Sequence, residues 1–283
     1  MSQVSLSVER IAGALGAVIS GVDLATELDD GTIGAIRRAL LEHQVIFFHD
    51  QHLTPEQHLN LGRRFGELQI HEFVEGSTLD PRIIEVRKEP QDTRNFGGGW
   101  HTDVSYLERP ALGSVLYAHE VPSRGGDTMF ASQYLAYETL SDGMKAMLEG
   151  MTAMHSARRP YSPGAAKRQA NGSSSMKYLL SEAAHAEVEH PVIRTHAETG
   201  RKSLYVNATF TVRFKDMSEE ESAPLLDYLC RHAVRPEFTC RFRWQKHSIA
   251  FWDNRCVQHN AINDYHGERR LMHRVTIEGE RPV

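Results

Sequence analysis

The stretch GGGWHTDVSY, residues 97–106, places an imidazole and a carboxylate two positions apart, His101 and Asp103, directly after three glycines. We interpret this stretch as a strand, in which side chains at positions i and i+2 point to the same face. The two groups would then converge on one point, as two-thirds of a metal site or half of a catalytic pair. Because the chain has 16 histidines, the chemistry depends on a third member elsewhere.

A second cluster, FWDNRCVQHNAINDYHGERRLMHR (251–274), supplies a candidate third member. An apolar strand leads to WDNR and then to His259, and three arginines follow: Arg269, Arg270 and Arg274. Two imidazoles and one carboxylate on one face, with three positions left open, make the facial triad of non-haem Fe(II) oxygenases. The open positions accept a chelating co-substrate and O2. A guanidinium fork matches the far carboxylate of a dicarboxylate co-substrate in a way that an ammonium does not.

The composition is that of an ordinary soluble globular protein. The chain has 283 residues, a net charge of −5 and no run of Lys and Arg, which argues against a nucleic-acid surface. Its three cysteines form no CxxC pair, so we expect free thiols in a reducing compartment. We see no secretory signal and no apolar run of membrane-spanning length. The expected location is the cytoplasm, with no membrane partner.

Strand-length segments outnumber helical ones. Helical periodicity is found at 29–43, 54–66, 133–149 and 218–233, and residues 54–57 (TPEQ) predict a capping box at a helix start. This balance predicts a mainly β fold, a sandwich or jelly roll with flanking helices. The predicted strands are 17–24, 45–50, 82–89, 114–121, 190–196, 203–207, 238–244, 248–254 and 273–279.

One segment fits neither pattern. Residues 158–177, RRPYSPGAAKRQANGSSSMK, are rich in Gly, Pro, Ser and basic residues. The length and composition of this segment predict a mobile loop or lid rather than a core element.

The chain resembles the taurine dioxygenase/TfdA-type family of Fe(II)- and 2-oxoglutarate-dependent dioxygenases. The motifs that carry the resemblance occur in the family order along nearly the whole chain: GAVISGVDL, HQVIFF, RRFGEL, WHTD, GGDT, RTH…GRKSLYVN, WDNR…QH and RRLMHR. The resemblance implies a double-stranded β-helix (a cupin-like jelly roll), one domain over residues 1–283, and a homo-oligomer, dimer or tetramer. It also implies Fe(II), 2-oxoglutarate and O2 as the cofactor and co-substrates.

The resemblance also assigns roles to individual residues. His101, Asp103 and His259 resemble the iron ligands and therefore the catalytic centre. Thr128, in GGDT, and Arg270 resemble the pair that holds the distal carboxylate of 2-oxoglutarate. Arg274 resembles an arginine near both the iron-chelating end of 2-oxoglutarate and the anionic group of the substrate.

The substrate-binding positions are only partly retained. His71 and Arg274 occupy the positions that hold the sulfonate of taurine in the family. Tyr161 and Phe210 occupy the positions at which the family has aromatic residues lining the substrate pocket. The tyrosine and asparagine on the amine side of taurine enzymes are replaced by Val74 and Gly97, which cannot hydrogen-bond an ammonium. A pocket without such partners discriminates against the polar group. We therefore expect a small anionic substrate with an apolar body: an alkylsulfonate, an alkyl sulfate ester or an aryloxyalkanoate, hydroxylated beside its heteroatom.

Other interpretations stay open. The protein could be a taurine dioxygenase proper, a non-oxidative metal-binding jelly-roll protein with hydrolytic or isomerase activity, or a binding protein that kept the fold. Individual residues also have structural interpretations. Thr128 lies after a glycine turn signal, Asp253 and Asn254 are typical turn formers, and the arginines suit a solvated face. Trp100 and Trp252 could form walls of the site, but as strand aromatics they are interpreted as core residues.

Overall fold

The computed structural model describes residues 6–165 and 172–283, and within them strands predominate. The strands are β1 (Ser7–Arg10), β2 (Ala17–Ser20), β3 (Val45–Phe48), β4 (Ile83–Lys88), β5 (Gly113–Glu120), β6 (Thr128–Ser132), β7 (Thr152–Ser156), β8 (Glu187–Pro191), β9 (Ile193–Thr195), β10 (Lys202–Leu204), β11 (Thr211–Phe214), β12 (Thr239–Phe242), β13 (Ile249–Asp253), β14 (Val257–Ala261) and β15 (Arg270–Ile277).

The helices are fewer and mostly short. They are α1 (Asp30–His43), α2 (Pro55–Arg63), α3 (Gln133–Glu138), α4 (Asp142–Leu148), α5 (Arg158–Tyr161) and α6 (Glu219–Ala233), with 3-10 turns at Glu182–His185 and Pro236–Phe238. Across the described ranges, none of these helices has the length and apolar character needed to cross a membrane.

Two facing sheets form the frame of the site. The larger has seven strands in the order β1-β2-β3-β13-β5-β15-β4, and the smaller has the order β12-β6-β14. Phe47 of β3 stacks on Phe242 of β12, with ring centroids 4.0 Å apart, and Phe130 of β6 lies 5.7 Å from Trp252 of β13. The space between the sheets is therefore a packed apolar core, and the predicted mainly β jelly roll is confirmed.

The period-2 alternation of the strands divides the larger sheet into two faces. Phe47 points into the core between the sheets, whereas Ile46 and Phe48 point to the opposite face. There they pack with Ile36 and Leu40 of α1. Helices thus cover the outer face of the larger sheet, as the prediction of flanking helices required.

The helix starts are largely set by their capping residues. The predicted capping box at α2 is confirmed, because Thr54 and Gln57 bond each other's backbone N–H. The single helix predicted for 133–149 is wrong: Ser132 caps α3 and Ser141 caps α4, so the chain starts a second helix there. A serine inside a helical pattern favours such a cap because its hydroxyl accepts from the backbone.

The strand predicted around His101 is also wrong. His101 forms one isolated bridge to His259, with backbone N–H to O distances of 3.1 and 2.9 Å. The chain then enters a turn in which Val104 has a φ of 45° and Leu107 N–H donates to Val104 O. A left-handed residue of this kind ends an extended segment. Sequence patterns also missed five strands: β1, β6, β7, β11 and β14.

Candidate functional site

The structure brings together His101, Asp103 and His259. His101 Nε2 lies 3.8 Å and His259 Nε2 lies 3.9 Å from the same atom, Asp103 Oδ1. The ligand atoms of all three residues lie within 4.8 Å of one another, and all three side chains are buried. The bridge between His101 and β14 holds the two imidazoles side by side, so a metal ion could be held where the three ligand atoms converge.

The protonation states fit a metal ion. His101 Nδ1 lies 2.8 Å from Gly99 O, which places the proton on Nδ1 and leaves the lone pair of Nε2 facing Asp103. Burial lowers the pKa of His101, and it lowers the pKa of His259 to about 3. Burial opposes ionisation of Asp103, but the Arg274 guanidinium and then His259 hold the pKa of Asp103 well below its usual value. Two neutral imidazoles and one carboxylate are a ligand set that divalent iron prefers.

Beside this centre, Arg270 and Thr128 line one small cavity together with His259 and Arg274. Arg270 begins β15 and is buried, and neither its Nε nor its Nη2 has a hydrogen-bond partner among the described residues. Burial lowers the pKa of Arg270. A buried guanidinium without partners costs free energy unless an anion joins it, so this position suits a carboxylate.

That cavity has a volume of about 30 Å³, which is roughly the space of one water molecule. Phe96, Gly97 and Arg274 separate it from a larger cavity, because the same three residues line both. Arg274 Nη1 donates to Asp103 Oδ1 at 2.8 Å, and its Nε has no partner among the described residues. A five-carbon dicarboxylate is larger than this cavity, so its binding would require side chains around the cavity to move.

The larger cavity, of about 260 Å³, combines cationic and aromatic walls. Arg94, Arg159 and Arg274 contribute guanidinium groups, and Asp103 is the one carboxylate among the described lining residues. Four aromatic side chains line it, together with His71, His101 and Gly97: Phe96, Tyr161, Tyr178 and Phe210. A small anion with an apolar or aromatic body would fit such a cavity.

The comparisons with known proteins agree with this geometry. The profile of the family described as taurine catabolism dioxygenase TauD, TfdA family, matches residues 7–276. The chain belongs to the TauD/TfdA family.

Two relatives and one solved structure illustrate the likeness. The alkylsulfatase of Acinetobacter baylyi is 34% identical over 97% of this chain and 86% of its own length. The alpha-ketoglutarate-dependent sulfate ester dioxygenase of Pseudomonas putida is 34% identical over 98% of this chain and 91% of its own. A taurine dioxygenase from Burkholderia xenovorans superposes with a TM-score of 0.81 at 34% identity, covering 99% of this chain and 91% of that one.

Within this TauD/TfdA site, His71 is a buried neutral imidazole. Its Nδ1 accepts the backbone N–H of Phe73 at 3.1 Å, so the ring proton lies on Nε2, which is 3.5 Å from the hydroxyl of Tyr106. Burial, and then the charge of Arg274, lowers the pKa of His71 to about 3. His71 therefore offers a neutral N–H donor next to Arg274.

One of the two predicted amine-side positions differs from expectation. Gly97 lines both cavities, but Val74 is not among the lining residues described for either. Val74 is buried in the apolar core, and its backbone pairs with Tyr178, which does line the larger cavity. Its influence on the pocket is therefore indirect.

Arg269 is a surface residue that pairs with Glu89 and Glu120, so the solvated-face interpretation holds for this arginine alone.

The predicted loop, 158–177, is described only in part, because residues 166–171 lie outside the described residues. Its first turn is α5, whose Tyr161 is buried against Phe73 with ring centroids 5.3 Å apart. On the far side, Ser173 bonds Thr93. The mobility of this segment stays a prediction.

Sequence reasoning missed three residues at the site. Trp244 donates its Nε1–H to Thr128 Oγ1 at 2.9 Å, and Ser114 and Asn254 both contact Asp103. Asn254 begins a turn directly after β13, as predicted for a turn former, and its side chain is in addition fully buried against Asp103. The WDNR motif was the available signal for Asn254, whereas Ser114 and Trp244 lay within ordinary strand patterns.

Proposed function

We propose that this protein is an Fe(II)- and 2-oxoglutarate-dependent dioxygenase that hydroxylates a small anionic organic substrate beside its heteroatom. The observation that carries the proposal is the buried group of His101, Asp103 and His259, which opens onto two arginine-lined cavities. A hydrolytic or non-catalytic jelly roll has no use for a buried Arg270 whose Nε and Nη2 lack hydrogen-bond partners among the described residues, which favours the oxidative interpretation. We further propose a single domain over residues 1–283, a dimer or tetramer, and a cytoplasmic location.

Each residue has a defined task in this proposal. His101, Asp103 and His259 hold Fe(II), which with O2 and 2-oxoglutarate supplies the oxidising power for C–H hydroxylation, with release of succinate and CO2. Arg270 pairs with the distal carboxylate of 2-oxoglutarate, and Thr128 donates its hydroxyl to the same group. The Trp244 N–H occupies a lone pair of Thr128 Oγ1, so the hydroxyl proton is free to point at the carboxylate.

The substrate is held by charge at one end and by aromatic rings along its body. Arg274 and the Nε2–H of His71 bind the anionic group, and Tyr161 and Phe210 pack on the apolar part. Within the expected set of alkylsulfonates, alkyl sulfate esters and aryloxyalkanoates, we favour alkyl sulfate esters, because the names of two relatives refer to sulfate-ester chemistry. Hydroxylation of the carbon next to the ester oxygen would give a product that breaks down to an aldehyde and sulfate.

Substrate competition tests this proposal. We expect an alkyl sulfate, a medium-chain alkylsulfonate or a phenoxyalkanoate to exceed taurine by roughly 5- to 150-fold in kcat/KM, because an uncompensated polar group costs about 1–3 kcal/mol. Gly97, which lines the cavity, offers no side-chain acceptor to the ammonium group. The measurement is Fe(II)-dependent succinate formation for each substrate. If taurine is the preferred substrate, the protein is a taurine dioxygenase proper. Succinate formation that does not depend on Fe(II) would contradict the proposed reaction class.

Trp244→Phe should weaken 2-oxoglutarate binding while the substrate KM stays unchanged. The variant keeps an aromatic ring beside Phe242 and Arg270 but removes the N–H donor to Thr128. Loss of one neutral hydrogen bond costs about 0.5–1.5 kcal/mol, so the 2-oxoglutarate KM should rise roughly 2- to 10-fold. In a Thr128→Val background the same change should have no further effect, and additivity of the two changes would contradict the role given to Trp244.

A further inference from the structure

The two oxygens of the Asp103 carboxylate have different surroundings. Oδ1 faces the two imidazoles and accepts from Arg274 Nη1. Oδ2 points away from them, accepting the Ser114 hydroxyl at 2.9 Å and Asn254 Nδ2 at 3.4 Å. Oδ1 is therefore directed at the candidate metal position, where Arg274 also contacts it, and Oδ2 is held by two donors that face away from that position.

Asn254 is itself held in one orientation. Its Oδ1 accepts the backbone N–H of Asp103 at 3.2 Å and Nε1–H of Trp252 at 3.0 Å. Two donors on that oxygen fix the amide so that its NH2 group faces Asp103 Oδ2 and Ser114 Oγ, the latter at 3.3 Å. Asn254 thus forms hydrogen bonds with both the backbone and the side chain of Asp103.

The strand end that carries Asn254 is anchored on its opposite side. Asp253 and Arg255, the neighbours of Asn254, form a bidentate ion pair with nitrogen–oxygen distances of 2.8 and 2.7 Å. His196 Nε2 adds a contact to Asp253 Oδ2 at 3.0 Å, and Arg255 reaches Glu198 at 2.7 Å. Asp253, Arg255 and His196 are as deeply buried as Asn254, whereas Glu198 is partly exposed, and their contacts fix the backbone on both sides of Asn254.

We propose that Ser114 and Asn254 are positioning residues that keep Asp103 Oδ2 occupied, so that the carboxylate offers only Oδ1 to the metal. This inference rests on the proposed function. A carboxylate that used both oxygens would fill a coordination position that the chelating co-substrate and O2 need. Hydrogen-bond partners of metal ligands commonly change metal affinity about 10- to 100-fold, which is the size of effect expected here.

The test measures metal binding without turnover. Ser114→Ala removes one hydroxyl, and we expect about 10- to 100-fold weaker Mn(II) binding by calorimetric titration. The visible absorption spectrum of the Co(II)-loaded protein should also change. Ser248→Ala is the matched control, because Ser248 is equally buried beside the same sheet but bonds His49 instead. It should keep wild-type Mn(II) affinity and the wild-type Co(II) spectrum.

Asn254→Ala should likewise weaken Mn(II) binding and change the Co(II) spectrum. If Asn254→Ala does not fold, the result for Ser114→Ala alone tests the inference. Wild-type Mn(II) affinity together with an unchanged Co(II) spectrum in folded Ser114→Ala would overturn the inference while leaving the proposed function intact. Failure of the wild-type protein to bind Mn(II) would overturn both.

Discussion

Asp103→Ala should abolish stoichiometric binding of Fe(II) or Mn(II) and, with it, coupled turnover. The variant removes the one anionic ligand of the group formed with His101 and His259. Because loss of an outer hydrogen-bond partner already costs about 10- to 100-fold in metal affinity, loss of the ligand itself should exceed that range. The measurements are metal content after dialysis and succinate formed per 2-oxoglutarate consumed. His101→Ala and His259→Ala should behave in the same way.

The control for Asp103→Ala is Asp103→Asn, which keeps the shape of the side chain and can still accept from Ser114 and Asn254. If the charge of the ligand is what matters, Asp103→Asn should also lose the metal while remaining folded. Both variants should also lower the melting temperature, because each leaves buried Arg274 without its ion-pair partner. Full iron content and wild-type activity in either variant would exclude Asp103 as a ligand.

The sequence predicted the convergence of His101 and Asp103 for a partly wrong reason. The i, i+2 argument assumed a strand, but the chain turns at Val104, and only the bridge to His259 holds His101 in extended pairing. The convergence survives because the bridge orders the backbone on one side and Asn254 holds it on the other. Local spacing indicated which residues meet, whereas pairing between distant segments determines how they meet.

The arginines show a distinction that strand alternation could have made in advance. Residues 270, 272 and 274 of one strand share a face, and Arg270, Met272 and Arg274 are all buried beneath the facing sheet. Arg269 has the opposite parity, and it forms surface ion pairs with Glu89 and Glu120. Applying the period of two to RRLMHR would therefore have predicted a buried Arg270 and an exposed Arg269 without any family resemblance.

Other parts of the site were beyond sequence reasoning. Ser114 and Asn254 reach Asp103 because β5 pairs with β13, with Trp252 opposite Ser114, and Asn254 follows one residue beyond that pairing. Trp244 reaches Thr128 because β12 pairs with β6, with Phe242 opposite Thr128. Register between strands more than 100 residues apart is a tertiary property, and no local pattern in one sequence encodes it.

Arg270→Ala should raise the KM for 2-oxoglutarate by roughly 30-fold to several thousand-fold. Truncating one partner of a buried charge pair costs about 2–5 kcal/mol, because the remaining charge is left desolvated and unpaired. Arg270→Lys should recover only part of this loss, since an ammonium cannot reproduce the two-pronged contact of a guanidinium. Direct titration of Mn(II)-loaded protein with 2-oxoglutarate separates this binding effect from any effect on chemistry.

Arg269→Ala is the matched control for Arg270→Ala, because Arg269 is adjacent in sequence but pairs with Glu89 and Glu120 at the surface. It should leave 2-oxoglutarate affinity unchanged. The protein without ligand provides a second signature: Arg270 is buried with Nε and Nη2 unpartnered among the described residues, so a neutral Arg270→Met should melt at or above the wild-type temperature. Its stabilisation by added 2-oxoglutarate should be lost. Unchanged 2-oxoglutarate affinity in Arg270→Ala, with an effect in Arg269→Ala instead, would reassign the co-substrate anchor to Arg269.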